Sequence, residues 1–365
     1  MSTNTKNINI NRKTVLVAPL DWGLGHTTRC IPVIQQLLDN DFTVFLAAEG
    51  NSAHLLRKEF PNVTILPLVG YQISYSNKKI FFAAKLIGQI PKILKAIKQE
   101  HAWLHQIIKE HKIDIVISDN RYGLFSKEIK SIFITHQLAI ETGNVFTNWL
   151  VQKFNYKRIN KFDACWIPDE EIPFDLAGKL SHPKVLPALP NTYIGILSRF
   201  EKKPTEKNID LLVLMSGPEP QRTTLEDIML LQMNRLSLKI TLVRGLPGVK
   251  NKIINNNENL KIFDHLPATE LNTLIQSSKI VVTRSGYSTI MDLIALQQKA
   301  ILIPTPGQTE QEYLAKYLVS KKFFVASKQS GFNLEKEIKN LENLDQRTIP
   351  SSENKKLEEA IKSLK

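Results

Sequence analysis

The segment IVVTRSGYSTIMDLIALQQKAILIPTPGQTEQEY, residues 280–313, alternates two short apolar runs with two helical patterns. Each apolar run is followed by a polar turn that contains glycine, and then by apolar residues at helical spacing. A strand–turn–helix unit repeated in this way is typical of a parallel sheet covered by helices. The segment therefore predicts a doubly wound α/β domain.

The same alternation runs through the rest of the chain. The strands that it predicts in the first half are residues 14–18, 43–47, 63–66, 113–118, 131–135 and 164–167. The strands predicted in the second half are residues 211–215, 238–243, 260–263, 279–283 and 300–304. Helical periodicity fills most of the intervals, so we expect two parallel sheets with right-handed crossovers rather than one long sheet.

A proline-rich and polar stretch separates the two series. Prolines recur between residues 168 and 190, and a polar run follows at 201–208, as is common at domain boundaries. The chain has 365 residues, 42% of them hydrophobic, which is enough for two cores. The predicted fold is α/β, with two Rossmann-like doubly wound domains facing across a cleft. The predicted extents are 1–197, 198–350 and a terminal helix at 351–365 that packs back on the first domain.

The composition indicates the cellular compartment and the kinds of binding partner. Only two cysteines occur, so a reducing, cytoplasmic location is expected rather than a disulfide framework. We find neither a secretory signal nor an apolar run long enough to span a bilayer. The formal net charge of +13 would attract polyanions of several kinds. No nucleic-acid-binding module is recognisable, so no nucleic-acid partner is expected.

The loop PLDWGLGHTTR, residues 19–29, joins the first strand to the first helix. Gly23 and Gly25 permit a ligand to approach the helix start, where free N–H groups favour an anion or a hydroxyl. His26 is suited to take a proton from a hydroxyl group at neutral pH. A tight turn in which His26 only caps or packs is also compatible. A dinucleotide-binding fingerprint is disfavoured because His26 interrupts its glycine spacing.

Polar residues follow the next strands of the first half as well. Asp119, Asn120 and Arg121 come directly after the fourth strand, and His136 follows the fifth. The carboxyl ends of parallel strands meet at one edge of the sheet, where ligands bind. Asp119 is therefore predicted to orient His26 or to bind acceptor hydroxyls, although a simple strand-end turn remains open.

Residues 280–313 contain the candidate residues for binding a phosphorylated sugar donor. Gly286 and the N–H groups after it can hold a diphosphate at a helix start, and Arg284 can add charge-assisted bonds. Asp292, two turns into that helix, can accept hydrogen bonds from ribose hydroxyls. The amides and the carboxylate that suit sugar hydroxyls after the next strand are Gln308, Gln311 and Glu312.

These residues resemble glycosyltransferase family 28, enzymes of the GT-B fold. Residues 280–313 look like the family's C-terminal domain, and residues 215–217 and 263–266 are similar to its phosphate loop and its base-contacting segment. Residues 195–199 resemble a linker that ends in a phosphate-binding arginine, and residues 25–26 match a glycine–histidine pair. The resemblance implies transfer with inversion and without a metal. The implied donor-binding residues are Arg199, Ser216, Gly217, Phe263, His265, Arg284, Ser285, Gly286, Ser288, Thr289, Asp292, Gln308, Gln311 and Glu312.

The chain also departs from the family pattern. Gln311 and Glu312 stand where the peptidoglycan-forming members have two amides, and the first loop has fewer glycines. The form Gly-x-Gly-His-x-x-Arg, which includes Arg29, resembles nucleotide-sugar hydrolases of the same fold. That resemblance implies water as an alternative acceptor. The acceptor-side candidates are Gly23, Gly25, Arg29, Asn120, Arg121 and His136, with His26 and Asp119 as the catalytic pair.

No metal or cofactor site is predicted. The one Asp-x-Asp, Asp39-Asn40-Asp41, lies between the first helix and the second strand, where turn residues are common. It is thus remote from the strand ends where a donor would bind. Walker, zinc-binding and hydrolase-elbow motifs are not found in the sequence.

Two stretches combine basic with apolar residues. Residues 78–112 form a basic amphipathic helix pattern, and residues 146–158 join aromatic side chains to lysine and arginine. Either stretch suits a domain surface or an anionic membrane interface. We therefore expect transfer of a sugar, with UDP-sugars favoured, to a saccharide or lipid-linked acceptor, with peripheral membrane contact. Nucleotide-sugar hydrolysis or epimerisation, and nucleotide-sugar binding without catalysis, are the alternatives.

Overall fold

The computed structural model describes residues 12–71, 90–140, 145–246, 257–348 and 355–365, and these residues form two parallel sheets. The first sheet has the order β3-β2-β1-β4-β5-β6-β7. Its strands are β1 Thr14–Pro19, β2 Thr43–Ala47, β3 Thr64–Leu66, β4 Ile115–Asp119, β5 Lys130–Ile134, β6 Ala164–Ile167 and β7 Asn191–Tyr193. The second sheet has the order β10-β9-β8-β11-β12-β13. Its strands are β8 Ile209–Leu214, β9 Ile240–Val243, β10 Leu260–Phe263, β11 Ser278–Thr283, β12 Ala300–Leu302 and β13 Val325–Ala326.

Helices connect these parallel strands and cover the sheets. They are α1 Leu24–Asp39, α2 Gly50–Glu59, α3 Ile90–His111, α4 Val145–Ile159, α5 Gln221–Met233, α6 Ala268–Ser277, α7 Tyr287–Ala295, α8 Thr309–Ser320, α9 Leu334–Glu342 and α10 Lys355–Lys362. The two doubly wound α/β halves confirm the predicted fold class.

Both sheets reverse their strand order at one point, and both reversals lie near the candidate site. In the first sheet the reversal falls between β1 and β4, where Pro19 pairs with Asp119. In the second it falls between β8 and β11, where Leu214 pairs with Thr283. Ligands of open α/β sheets bind at such points, beyond the carboxyl ends of the strands. The fold therefore places the loops after β1, β4, β8 and β11 at the two expected binding edges.

The two halves are in direct contact. Helix α1 packs against α7, and Ile31, Ile34, Ile290 and Ile294 belong to one apolar cluster. The Ser288 hydroxyl donates to the Gly25 carbonyl at 2.8 Å. This arrangement brings the start of α1 next to the start of α7.

The C-terminal helix α10 lies on the first half. Leu357 and Ile361 are buried in the apolar cluster shared with α1. Lys13 Nζ donates to the carbonyl oxygen of Leu364 at 2.9 Å, and Lys356 forms an ion pair with Glu170 at 2.9 Å. The helix begins at Lys355, and the predicted start at 351–354 lies outside the described residues.

The basic pattern at 78–112 corresponds in part to α3. Ile97 and Leu104 on this helix are buried beneath the first sheet, whereas Lys92, Lys95 and Lys98 are exposed. The apolar face of α3 therefore belongs to the core. The earlier part of the predicted helix, with Lys85 and Leu86, lies outside the described residues.

Candidate active site

His26 lies in the first turn of α1 and faces the end of β4. Gly23 precedes the helix with a φ of 75°, a conformation that favours glycine. The Nδ1 atom of His26 lies 2.9 Å from Oδ1 of Asp119, which is buried. The structure thus brings the two predicted catalytic residues into a histidine–carboxylate pair, and 17% of the His26 side chain remains exposed.

Arg29, one turn further along α1, binds the same carboxylate with two nitrogens. Its Nε and Nη2 donate to the two oxygens of Asp119, in the bidentate geometry that suits a guanidinium. Burial alone would raise the pKa of Asp119, but the charge of Arg29 and the hydrogen bonds from Arg29 and His26 outweigh burial and hold that pKa well below its usual range. Asp119 therefore remains a carboxylate and orients its partners without titrating near neutral pH.

The environment of His26 keeps its imidazole neutral. Burial and the nearby Arg29 charge lower the pKa of His26, and Asp119 only partly compensates. With the Nδ1 proton donated to Asp119, Nε2 keeps a lone pair that can accept a proton. Arg29 Nη2 also lies 2.7 Å from Nδ1, so the guanidinium and the carboxylate compete for this atom.

His136 follows β5 and connects the first half to the second. Its Nδ1 lies 3.0 Å from Arg29 Nη1, and its Nε2 lies 2.8 Å from Oε1 of Glu310 on α8. Its ring stacks on Tyr287 with centroids 4.0 Å apart. The sequence prediction included His136 but missed Glu310 and Tyr287, because nothing local in the sequence shows which face of α7 or α8 meets the first domain.

The start of α7 forms the opposite wall. A Cβ added to Gly286 would meet nothing within 4 Å, so there is open space beside the residue that precedes this helix. Ser288 is held by its bond to the Gly25 carbonyl, and Ser285 donates to the carbonyl of Gln311 at 2.9 Å. Thr289 is half-buried in the same turn. A helix start with free space favours an anionic group.

Two buried polar atoms lie beside the loop after β8. Gly217 has a φ of 101°, and a Cβ there would lie 3.5 Å from Thr305 Oγ1 and 3.9 Å from Arg284 Nε. Both of these buried atoms lack a hydrogen-bond partner among the described residues. The neighbouring Ser216 is exposed. Buried polar atoms normally have partners, so the loop, Thr305 and Arg284 outline a site for a ligand oxygen.

Arg284 has a larger structural role than the sequence suggested. Its Nη2 donates to Gln221 O and to Gln329 Oε1, both at 2.8 Å, and its Nη1 to Ile303 O at 3.3 Å. Burial lowers the pKa of Arg284 to about 10. The guanidinium thus holds the backbone of the second domain together, and only Nε remains directed toward the Gly217 loop.

Asp292 and the linker meet behind the start of α7. The Ser198 hydroxyl donates to Asp292 Oδ1 at 2.7 Å. Burial raises the pKa of Asp292 to about 6, against the opposing charge of Arg199. The guanidinium of Arg199 lies 4.7 Å from the Phe200 ring centre, and its buried Nε has no partner among the described residues. Arg199 and Asp292 therefore lie close together, and their roles in diphosphate and ribose binding stay predictions.

The polar residues at the start of α8 hold the preceding turn. The backbone N–H groups of Thr305 and Gly307 donate to the side chains of Gln311 and Glu312 at 2.9 and 3.0 Å. Gln311 Nε2 donates to Gln308 Oε1 at 2.6 Å. In this state the three side chains shape the turn, and a sugar would have to share these atoms.

Arg121, an acceptor-side candidate, is bonded within the first domain. It is buried and donates to the carbonyl of Pro19 at 2.8 Å and to Glu100 at 2.9 Å. The sequence could not show that Glu100 on α3 would pair with this arginine, and its contact with an acceptor stays a prediction. Asn120, with a φ of 55°, stays half-exposed at the turn after β4.

The base-contacting segment lies at the edge of the second sheet. Phe263 is 37% exposed, and its carbonyl accepts from the Arg244 N–H at 2.8 Å. His265 is exposed, and partial desolvation together with the charges of Lys58 and Arg199 lowers its pKa. Both residues are accessible, and the segment stays a predicted base contact.

Two families match the two halves. Residues 222–364 match the family described as "Glycosyltransferase family 28 C-terminal domain", and residues 17–142 match "Glycosyl transferase family 1". An uncharacterized glycosyltransferase of Methanosarcina acetivorans is 26% identical over 80% of this chain and 79% of its own. A second relative, from a Sulfurihydrogenibium species, is 23% identical, with 80% of this chain and 79% of its own covered. Its name is UDP-N-acetylglucosamine--N-acetylmuramyl-(pentapeptide) pyrophosphoryl-undecaprenol N-acetylglucosamine transferase.

Solved structures share the fold. The Arabidopsis thaliana protein UGT89C1, complexed with UDP-L-rhamnose, superimposes with a TM-score of 0.61 at 13% identity, covering 96% of this chain and 93% of its own. Together with the sequence matches, the two facing sheets and their site define the chain as a glycosyltransferase of the GT-B type. More particularly, residues 222–364 are similar to the glycosyltransferase family 28 C-terminal domain, as the opening segment predicted.

Proposed function

We propose that this enzyme transfers a sugar from a nucleoside diphosphate to a hydroxyl group, with inversion and without a metal. The observation that carries the proposal is the position of the His26–Asp119 pair. His26 follows Gly25, whose carbonyl is bonded to Ser288 at the start of α7. A proton acceptor is thus beside a helix start suited to phosphate.

The proposed step is a single displacement. The acceptor O–H gives its proton to Nε2 of His26, and its oxygen forms a bond to the anomeric carbon. The bond from that carbon to the phosphate oxygen breaks, and its electron pair leaves with the diphosphate. Because attack and departure occur on opposite faces, the configuration inverts.

Charge on the leaving diphosphate has several partners in the second domain. The α7 start, the Gly217 loop with Thr305, and Arg199 supply N–H, O–H and guanidinium donors. Fixed donors of this kind stabilise developing charge without reorganisation. The proposal assigns to them the role that a cation has in metal-dependent transferases.

UDP is the favoured nucleotide, and Asp292 the proposed ribose ligand. The support comes from relatives and neighbours, since the names of the Sulfurihydrogenibium relative and of the plant structure both contain a UDP-sugar. Within this chain, Asp292 lies beside Arg199, so ribose and diphosphate can bind to adjacent groups.

A lipid-linked acceptor at an anionic membrane is the proposed second substrate. On α4, Trp149 and Phe154 are 57% and 39% exposed. Lys153 lies 5.3 Å from the Trp149 ring centre, and Arg158 lies 5.1 Å from that of Phe154. Exposed aromatic rings beside cations suit the interface of an anionic bilayer. No helix in the described part of the chain is long and apolar enough to cross a membrane.

Hydrolysis is the second candidate. It is favoured by one observation, the placement of Arg29 from the hydrolase-like loop directly on the catalytic carboxylate. In that case water takes the place of the acceptor hydroxyl, and the donor site is unchanged. Neither an acceptor groove nor membrane contact would then be needed.

The first experiment is a thermal-shift screen of UDP, GDP, dTDP and CDP, with and without EDTA. Nucleotide at about a hundred times its Kd should stabilise the protein by about 2.7 kcal/mol. A selective, EDTA-insensitive shift that disappears in Asp292→Ala would support the donor site. The absence of any shift would refute the proposal.

Product analysis then separates the chemistries. With a nucleotide sugar and a polyprenyl-linked saccharide, transfer predicts a lengthened acceptor, and hydrolysis predicts free sugar whether or not acceptor is present. The His26→Ala variant should lose either activity, whereas His54→Ala, on the exposed side of α2, is the matched control. Full activity in His26→Ala would point to another base. Bound nucleotide without any product would favour the non-catalytic alternative.

Vesicles test the membrane contact. Sedimentation with phosphatidylglycerol vesicles should exceed that with phosphatidylcholine, and Lys153→Glu with Arg158→Glu should remove the difference. The exposed pair Lys336 and Lys339 on α9 provides a control with the same change of charge. Equal binding by both double variants would argue against α4 as the contact.

A further inference from the structure

One contact in the site joins the catalytic pair to the opposite domain. Glu310 belongs to α8 of the second domain, and His136 follows β5 of the first. Their side chains meet at 2.8 Å, and His136 in turn lies 3.0 Å from Arg29. A continuous chain of polar contacts therefore runs from Glu310 through His136, Arg29 and Asp119 to His26.

Arg29 and Glu310, the two neighbours of His136 in this chain, fix the positions of the hydrogens on the His136 ring. A guanidinium can only donate, and an ionised carboxylate can only accept. His136 Nδ1 must therefore accept from Arg29, and Nε2 must carry the proton that it donates to Glu310. Burial alone would raise the pKa of Glu310, but the hydrogen bond from His136 and the positive charge of Arg29 outweigh it and lower that pKa, so Glu310 stays ionised.

The tautomer of His136 matters for His26. With the relay in place, Arg29 Nη2 and Oδ1 of Asp119 lie 2.7 and 2.9 Å from His26 Nδ1, so both compete for this atom. A guanidinium that turned further toward His26 would displace Asp119, donate to Nδ1 and leave the proton on Nε2. A His136 that accepts at Nδ1 gives the guanidinium a second fixed partner beside Asp119, which limits that turn and favours the form in which Nδ1 donates to Asp119 and Nε2 can act as the base.

We propose that Glu310 is a positioning residue, supplied by the donor-side domain, that prepares His26 for proton abstraction only while the two domains are in contact. This inference rests on the proposed function, since it takes His26 as the base. The charged and titratable groups around the relay are His26, Arg29 and Cys30 of α1, Asp119 of β4, Tyr287 of α7 and Glu310 itself. Among them, Glu310 alone comes with its charge from the second domain.

The test is the variant Glu310→Gln, assayed for kcat and donor KM across pH. Glutamine keeps the length but loses the charge, and its amide can present N–H or oxygen to His136. Because 36% of the Glu310 side chain is exposed, the variant should fold. We expect kcat to fall about tenfold, as for the loss of one charge-assisted hydrogen bond, with donor KM unchanged within about twofold.

The acidic limb of the kcat profile should also move. The carboxylate of Glu310 raises the pKa of His26, so its removal should shift this limb to lower pH. The control is Glu335→Gln, an exposed carboxylate of α9 paired with Lys339 at 3.2 Å. A variant that changes only donor KM would show that Glu310 merely contacts the donor, and an unchanged pH profile would likewise overturn the inference.

A measurement without turnover separates this inference from the proposed function. Nitrogen NMR of 15N-histidine-labelled protein, assigned with His136→Gln, reports which ring nitrogen carries the proton. We expect the Nε2–H form of His136 in the wild type and a mixed population in Glu310→Gln. A wild-type proton on Nδ1 would overturn the relay even if transfer occurs. Full activity in His26→Ala would instead remove the proposed base and leave the NMR result intact.

Discussion

The substitution Asp292→Asn should make the protein more stable and a weaker binder of nucleotide. In the structure this carboxylate is half-buried and accepts hydrogen bonds from the Ser198 hydroxyl at 2.7 Å and from the Arg199 backbone. Burial raises its pKa to about 6, so keeping this carboxylate charged in the folded state costs free energy. Asparagine keeps the shape and an accepting oxygen but carries no charge.

The size and sign follow from the pKa. An unfolded aspartate has a pKa of about 3.9, and a difference of about 2 pH units corresponds to about 3 kcal/mol. The folded pKa is the higher one, so the folded state binds more protons between about pH 4 and pH 6, and stability falls as pH rises through this window. Since the side chain is partly exposed, we expect the variant to gain about 2 kcal/mol at pH 7.5, and about a third of that at pH 4.5.

Thermal unfolding of both proteins at the two pH values measures this difference. A gain of about 2 kcal/mol corresponds to a Tm increase of about 3 °C for a chain of this size. The matched control is Asp227→Asn, an exposed residue of α5. Lower stability of the variant at pH 7.5, or a gain of the same size at both pH values, would refute the reasoning. Nucleotide affinity should fall about tenfold or more, because a charged acceptor of ribose hydroxyls is lost.

Three further outcomes are expected from single substitutions. His26→Ala should lower kcat by about 10²–10⁴-fold and leave the nucleotide-induced Tm shift intact, which separates catalysis from binding in one preparation. Arg29→Lys keeps the charge but loses the bidentate hydrogen bonding to Asp119, and urea unfolding should show that the free energy of unfolding falls by about 3 kcal/mol. An unchanged midpoint would show that a single bond to Asp119 is enough for stability. Thr305→Val removes a buried hydroxyl that has no partner among the described residues. The free energy of unfolding, measured from Tm, should therefore stay the same or rise by about 1 kcal/mol. Calorimetric titration should then show nucleotide affinity reduced severalfold, and unaltered affinity would exclude Thr305 from the diphosphate site.

The fold was largely predictable because its signal is local. Apolar runs such as 279–283 and 300–304 are short, continuous and bounded by turns, which is how strands buried on both faces look in a sequence. Strand β7, Asn191–Tyr193, was missed because it lies in the proline-rich stretch and has only three residues. Helix α4 was described only as an aromatic and basic surface, since its apolar side chains follow no clear helical stripe.

The site was predictable only in part, because its key contacts join distant residues. Residues at strand ends, such as Asp119 and His136, could be found from the topology of parallel sheets. The choice among Glu310, Gln311 and Glu312 could not, because successive helix residues point about 100° apart. Only the packing of α8 against the first domain shows that Glu310 is the one that meets His136.

The position of Glu310 also bears on transfer versus hydrolysis. On the proposed mechanism, Asp119 cannot take the proton itself, since Arg29 holds its pKa far below neutral, so the proton must rest on His26. If the readiness of His26 depends on a carboxylate of the opposite domain, proton abstraction is confined to the closed state. Closure removes loose water from the cleft, and a bound acceptor hydroxyl then has the advantage over water. A base that is complete within one domain would act equally on water in an open cleft. Such a base suits a hydrolase, whereas in a transferase it would let water compete with the acceptor.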